Sequence, residues 1–422
     1  MPPFVGTPHT HTLGAIKETN KKMIHYYIET FFDLHNRIHS LKDLDPFDNT
    51  HEYAEIQELL IEKISHVEKK IRENKKLIQD LRKELKTKRE IPLSKKQSKN
   101  IKLRIQNARG RIDGYKDLHY YFRQFGDSLA FLLINKWDIK PLAIKETPGF
   151  ISLKEGVRNE RKAFRHAYSV GLIAIYNDIT TAVKYGDLTI IKKGSPPLFV
   201  EMKSSELQNK RGKRQEENLH KLTSYLNTDS TDGLFGREIE TKRIEYNYCD
   251  YSTKEVNLAI IKYRKTGFYR GELEDGINLI ILDADDLNKK NAPVPGLFQS
   301  AQSLIIPLNL RKKDNLGYFP YPLIFNRSED LIEFYLDWMI LLIDIDIGVI
   351  KRKLEGFGYE VQLIEDDEDW ILKVNNPKAK DDQLEFLLIG HYLWNRMVYE
   401  FMTLKSFIKV IVDTLENAPN KV

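Results

Sequence analysis

From Leu60 the apolar residues fall at Leu60, Ile64, Val67, Ile71, Ile78, Leu81 and Leu85, with Asn74 in the one polar place of an alternating four- and three-residue spacing. That spacing is a heptad seam. Pro92 in Ile91-Pro92-Leu93-Ser94 ends it, Ser94 can cap a new helix, and the seam resumes as Ile101, Ile105, Ala108, Ile112 and Tyr115. The pattern predicts an antiparallel coiled-coil hairpin within residues 51–135, preceded by a helical segment over 1–50. The same seams could instead zip against a second copy of the chain. Asn74 would then fix register or oligomeric state, and a homo-oligomer is expected.

The texture changes after residue 136. Leu172–Ile179, Asp187–Ile191 and Leu198–Lys203 read as strands between two helices, with Lys192-Lys193-Gly194-Ser195-Pro196-Pro197 as the turn between the last two. Residues 136–230 thus predict a compact α/β unit. Residues 231–422 predict an α+β region that completes this unit or mediates assembly. Its expected parts are strands at Glu255–Tyr263 and Asn278–Asp283, a helix from Ser328 capped by its own serine, and a strand pair around Tyr359–Val374. A long buried helix is expected from Asp382 to about Leu415, and the acidic run 365–369 is expected to be a hairpin turn. The most apolar run, Leu331–Ile350, carries Glu333, Asp337, Asp344 and Asp346, too many charges for a membrane span.

Charge sharpens the picture of the hairpin. Between Leu60 and Tyr115 there are 18 Lys and Arg against 7 Asp and Glu, whereas the 422-residue chain carries only +5, so the rest is net acidic. A basic helical stripe favours polyanions, or is simply a solvated face. The arm is expected to serve assembly or nucleic-acid binding and to be dispensable for any chemistry. Cys249 is the sole cysteine, which excludes an internal disulfide and a Cys-rich zinc site and points to a reducing compartment, the cytoplasm. The first residues lack the pattern of a secretory signal.

The candidate chemistry lies at Gly186-Asp187 and at Glu201-Met202-Lys203. A hairpin whose turn centres on Gly194 puts Asp187 opposite Glu201, and Glu201 and Lys203, two apart, share a strand face. Carboxylates and a lysine among Leu198, Phe199 and Val200 are costly unless paired or used. Two carboxylates can hold Mg²⁺, with Mn²⁺ as the alternative ion, while a lysine orients or deprotonates an attacking water.

An aspartate, thirteen intervening residues and Glu-x-Lys on a second strand followed by a helix resemble the PD-(D/E)XK nuclease superfamily, over roughly residues 151–226. Gly186 stands where the name-giving proline would be. The resemblance implies a restriction-endonuclease-like core, metal ligands at Asp187, Glu201 and a helix glutamate that here is Glu160, and catalysis by Lys203. It further implies a Gln and a Tyr one turn apart on the following helix, where this chain has Lys221 and Tyr225. Lys210, Arg211, Lys213 and Arg214 form a basic stretch suited to backbone phosphates, expected in a loop.

His9 and His11 lie in a tail, Asp283, Asp285 and Asp286 are expected to cap a helix, and no Walker-type loop is present. The resulting expectation is metal-dependent hydrolysis of nucleic acid, DNA foremost, in the manner of a prokaryotic defence nuclease, with a separate sensor or helicase as a compatible partner and no membrane. The competing expectation is a catalytically silent nucleic-acid-binding or scaffolding protein.

Overall fold

The computed structural model describes residues 23–87, 94–143, 150–154, 156–202, 210–232, 240–243, 246, 248–287, 303–314, 317–364, 370–380 and 383–417. The described residues form two compact units, one within residues 23–243 together with 319–323, the other within 246–318 and 324–417.

In the first unit α1 (Ile28–Leu41) precedes α2 (Thr50–Thr87) and α3 (Lys95–Leu133), which pack along each other as the expected hairpin. Ser94 accepts the Gln97 N–H and Gln97 reaches back to the Ser94 N–H, a capping box that starts α3. Leu60, Ile64, Val67, Ile71, Ile78 and Leu81 are buried, as are Ile101, Ile105, Ala108 and Ile112. Asn74 sits in the seam facing its own chain. Its carbonyl accepts Arg111 Nε at 2.8 Å while its amide donates to the Lys70 carbonyl.

After α4 (Lys136–Ala143) and a short 3-10 turn (Ile151–Leu153), α5 (Val157–Ser169) leads into a three-stranded antiparallel sheet, β1 (Ile173–Tyr176), β2 (Leu188–Ile191) and β3 (Leu198–Val200). The expected first strand ends at Tyr176, and Asn177–Ile179 is a second 3-10 turn. All four β1 residues are buried. β1 is the sheet edge, and α2 satisfies it. Gln57 donates to the Ala174 carbonyl at 2.8 Å and accepts the Tyr176 N–H at 2.9 Å, as a neighbouring strand would. The hairpin therefore packs into this core through its first helix. The unit continues through α6 (Lys210–Thr228) to a two-stranded ribbon, β4 (Ser230–Asp232) with β5 (Glu240–Lys242).

The second unit holds a four-stranded antiparallel sheet ordered β6-β7-β9-β8, from β6 (Phe268–Glu274), β7 (Ile277–Asp283), β8 (Ser303–Pro307) and β9 (Met339–Asp346). Thr253–Thr266 is a helix, α7, where a strand is expected over Glu255–Tyr263: Val256, Ala259, Ile260 and Tyr263 are buried at helical spacing. α8 (Ser328–Tyr335) begins where expected, but Arg327 holds the cap position and no side chain caps it. Asp283 accepts the Asp285 N–H at 2.8 Å, as a cap does.

Helix α9 (Ile347–Gly356) is followed by the small sheet β10 (Glu360–Leu363), β11 (Trp370–Asn375) and β12 (Phe386–Gly390). The run 365–369 between β10 and β11 lies outside the described residues. The long helix expected from Asp382 is instead β12, then α10 (His391–Tyr399) and α11 (Leu404–Asn417). The break falls at Phe401, whose φ is +56°. No helix among the described residues is long and apolar enough to cross a membrane.

Candidate active site

The pairs Leu188↔Val200, Thr189↔Phe199 and Ile190↔Leu198 centre the β2–β3 turn on Gly194, which has φ +71°. Carried one position further, that register sets Asp187 against Glu201, and the Asp187 N–H donates to the Val200 carbonyl at 2.8 Å. Asp187 is buried and Glu201 half-buried.

Gly186 has φ +73°, and a Cβ there would lie 2.8 Å from the Val200 carbonyl oxygen. Proline fixes φ near −65°, so this backbone has no place for a proline at position 186. Asn177, buried at the end of β1, ties down the same corner. Its amide donates to the Tyr185 and Gly186 carbonyls at 2.7 and 3.2 Å, and its oxygen accepts the Thr189 hydroxyl at 2.8 Å.

Around this corner the carboxylates gather. Asp187 Oδ2 accepts the Met202 N–H at 2.8 Å, and Oδ1 faces Lys154 Nζ at 3.3 Å. The same ammonium lies 2.6 Å from Asp178 Oδ2. Glu160, buried on α5, accepts the Tyr176 hydroxyl at 2.5 Å. Burial raises the Asp178 carboxyl above its ordinary range although Lys154 opposes the shift, and burial likewise raises Glu160 against the Tyr176 hydrogen bond. For Lys154 burial acts downward as the largest single influence, but Asp178, Glu160 and Asp187 together outweigh it and the ammonium is held above its usual value.

Lys154 is placed from a distance. Glu68, wholly buried on α2, accepts the N–H groups of Ile151 at 3.1 Å and Ser152 at 2.9 Å, and faces His119 of α3 at 3.1 Å. These bonds fix the 3-10 turn that delivers Lys154 two residues later. Asp178 is fixed by α3 in a comparable way: Asp127, fully buried, accepts the Thr181 and Ala182 N–H groups at 2.6 and 2.8 Å. Gly126 lies so close to the Ile179 carbonyl that a Cβ would overlap it.

The structure therefore brings together Asp187, Glu201 and, nearby, Glu160, and adds Asp178, Lys154, Tyr176 and Asn177. Lys203 lies outside the described residues. Lys210, Arg211, Lys213 and Arg214 fall on the first turns of α6 rather than in a loop, and Tyr225 is buried on the same helix. The donor chemistry, oxygen-only and anionic, suits a hard divalent ion. Yet among the described residues no three or more His, Cys, Asp or Glu side chains are gathered as a ligand set. The position such an ion would neutralise is taken by the Lys154 ammonium. Comparison with family models, with curated proteins and with solved structures returned no match to this chain.

Proposed function

We propose that this chain is a divalent-metal-dependent phosphodiesterase of nucleic acid, DNA foremost, with its centre at the β1–β2–β3 corner. One observation above all supports the reading: Glu160, Asp178 and Asp187, all buried, share a corner with Lys154, and Glu201 follows across the hairpin. Buried charge at that density is expensive for a fold to keep and clusters at working sites.

Asp187, Glu201 and Glu160 would hold Mg²⁺ or Mn²⁺, which when bound stabilises developing charge and acidifies water. Tyr176 fixes the Glu160 carboxylate through its O–H, and Asn177 holds the Gly186–Asp187 corner. Lys203, two residues beyond Glu201, would orient or deprotonate the attacking water. Lys210, Arg211, Lys213 and Arg214 would meet backbone phosphates, and Tyr225 would support the site from α6.

Lys154 favours a second reading. An ammonium between two carboxylates is a self-sufficient ion cluster, as a catalytically silent nucleic-acid-binding or scaffolding protein would keep. Plasmid cleavage separates the two. The nuclease reading expects nicking with Mg²⁺ or Mn²⁺, none in EDTA, and none from Asp187→Ala. Intact plasmid with both ions, together with no Mn²⁺ uptake by calorimetry, would establish the silent reading.

A further inference from the structure

The second unit carries a polar cavity that the nuclease reading does not use. On one face of its four-stranded sheet the side chains change character midway. One end is apolar, with Ile280, Leu282, Ala284 and Ile340 packed together under Phe268 and Leu342. Further along the same face the register pairs Glu272 with Asn278, Asn278 with Asp344, and Asp346 with Ser303. At that polar end lies a cavity of about 590 Å³ whose lining includes Arg270, Arg352 and Asn278 together with the carboxylates of Glu272, Asp275, Asp344 and Asp346. Small-molecule sites span roughly 300–1,000 Å³.

Of the four acidic residues that line the cavity, Glu272, Asp275, Asp344 and Asp346, two are already engaged. Asp346 caps α9, accepting the Gly348 and Val349 N–H groups at 2.8 and 3.3 Å, and Asp275 pairs with Lys353 at 2.8 Å. Asp344 differs. It is 1% exposed, and among the described residues its Oδ1 has no hydrogen-bond partner and its Oδ2 has only the Asn278 amide at 3.4 Å. A buried carboxylate oxygen left without a donor is costly, so Asp344 is built to receive N–H groups from something in the cavity. Arg270 on β6 and Arg352 on α9 supply guanidinium groups, which recognise phosphate by paired N–H donors. Gly276, at φ +88°, lets the β6–β7 turn approach Val349 so closely that a Cβ would sit 2.7 Å from the Val349 Cβ. That contact keeps α9, and with it Arg352, against the sheet.

We infer that this cavity binds a nucleoside monophosphate whose base presents an N–H donor edge, as guanine does through N1–H and its exocyclic amine. Asp344 accepts the base edge while Arg270 and Arg352 hold the phosphate. The inference stands independently of the nuclease reading, since no residue is shared.

Isothermal titration of the full chain with GMP, guanosine and AMP tests it. GMP should bind, and AMP, which has an acceptor where guanine has N1–H, should bind at least about tenfold more weakly. Asp344→Asn should abolish the preference for guanine. Arg352→Ala, an exposed position that leaves the fold unchanged, should weaken GMP about tenfold and leave guanosine untouched. Asp187→Ala should bind GMP as the wild type does. No GMP binding by the wild type, or GMP binding unchanged in both Asp344→Asn and Arg352→Ala, would overturn the inference.

Discussion

Replacing Lys154 with methionine keeps most of the length of the side chain and removes its charge. The ammonium lies 2.6 Å from Asp178 and 3.3 Å from Asp187, and its side chain is 29% exposed, so solvent screens it only in part. At an effective dielectric of about 20 the two attractions are roughly 6 and 5 kcal/mol, most of which only offsets the desolvation of the three groups. What counts is the charge left behind. Removing one partner of a buried pair costs about 3–5 kcal/mol, and the partial exposure of Lys154 together with the nearby Arg123 guanidinium, which also acts on Asp178, places this case near 3 kcal/mol.

In EDTA the variant should therefore melt on the order of 10 °C lower, taking roughly 2–4 °C per kcal/mol for a unit of this size. A divalent ion replaces the missing charge in the variant but must displace the ammonium in the wild type. A ligand at a hundred times its dissociation constant contributes about 2.7 kcal/mol, so saturating Mn²⁺ should recover most of the loss in Lys154→Met and raise the wild-type melting temperature less. Differential scanning calorimetry in EDTA and in MnCl₂ reads both shifts. If the variant melts with the wild type in EDTA, Lys154 does not neutralise the cluster. If Mn²⁺ shifts both proteins equally, ion and ammonium do not compete and the carboxylates are not a shared cation position.

The remaining predictions concern the frame of the site and the hairpin. Gly186→Pro should cost about 1–3 kcal/mol and any activity, because φ +73° and the Val200 carbonyl forbid it; an unchanged urea midpoint would refute this. Gln57→Leu should cost about 1–3 kcal/mol by leaving the Tyr176 N–H of β1 unpaired, while the Ala174 carbonyl still accepts the Tyr168 hydroxyl at 2.9 Å, read in the same titration. Burial lifts the fully buried Asp127 carboxyl to about 6, against the hydrogen bonds from Thr181 and Ala182. The native state then holds a proton that the unfolded chain has lost, so this group's contribution falls by about 3 kcal/mol as pH rises from 4 through 6. Asp127→Asn should flatten that stretch of the stability profile measured by urea titration at pH 4 and pH 7. Reversing Lys69, Lys70, Lys75 and Lys76 to Glu should weaken DNA binding and lower the slope of log affinity against log salt in fluorescence anisotropy; an unaltered slope would remove the hairpin from the interface.

What could be read in advance was local. The hairpin register followed from a heptad seam, and the Asp187–Glu201 juxtaposition from two strands around a turn at Gly194, where every deciding residue lies within about a dozen positions. The errors were local too, and each has a cause. Val256, Ala259, Ile260 and Tyr263 carry helical spacing, but a run rich in β-branched and aromatic residues resembles a strand when composition is weighed before period. The break between α10 and α11 has neither Gly nor Pro to announce it. It is held by tertiary bonds, with Arg396 buried against Glu400 at 2.8 Å and the Ser252 N–H donating to the Phe401 carbonyl.

The surroundings of the site were illegible for a different reason. Lys154 is an unremarkable lysine in Leu153-Lys154-Glu155-Gly156, and nothing within a helical turn of it suggests a partner. Its position depends on Glu68, more than eighty residues earlier, which reads along the chain as one more charge in a charged helix. Gln57 likewise reads as a polar helix position until β1 is laid beside it. Both residues lie on the buried side of α2, so the helix that looks like a detachable basic arm closes the sheet edge with one side chain and aims the lysine with another. Truncating the hairpin would remove both supports at once and could not distinguish binding from folding. Charge reversals on its outer face leave Gln57 and Glu68 in place, and they isolate the contribution of the basic stripe from that of the core.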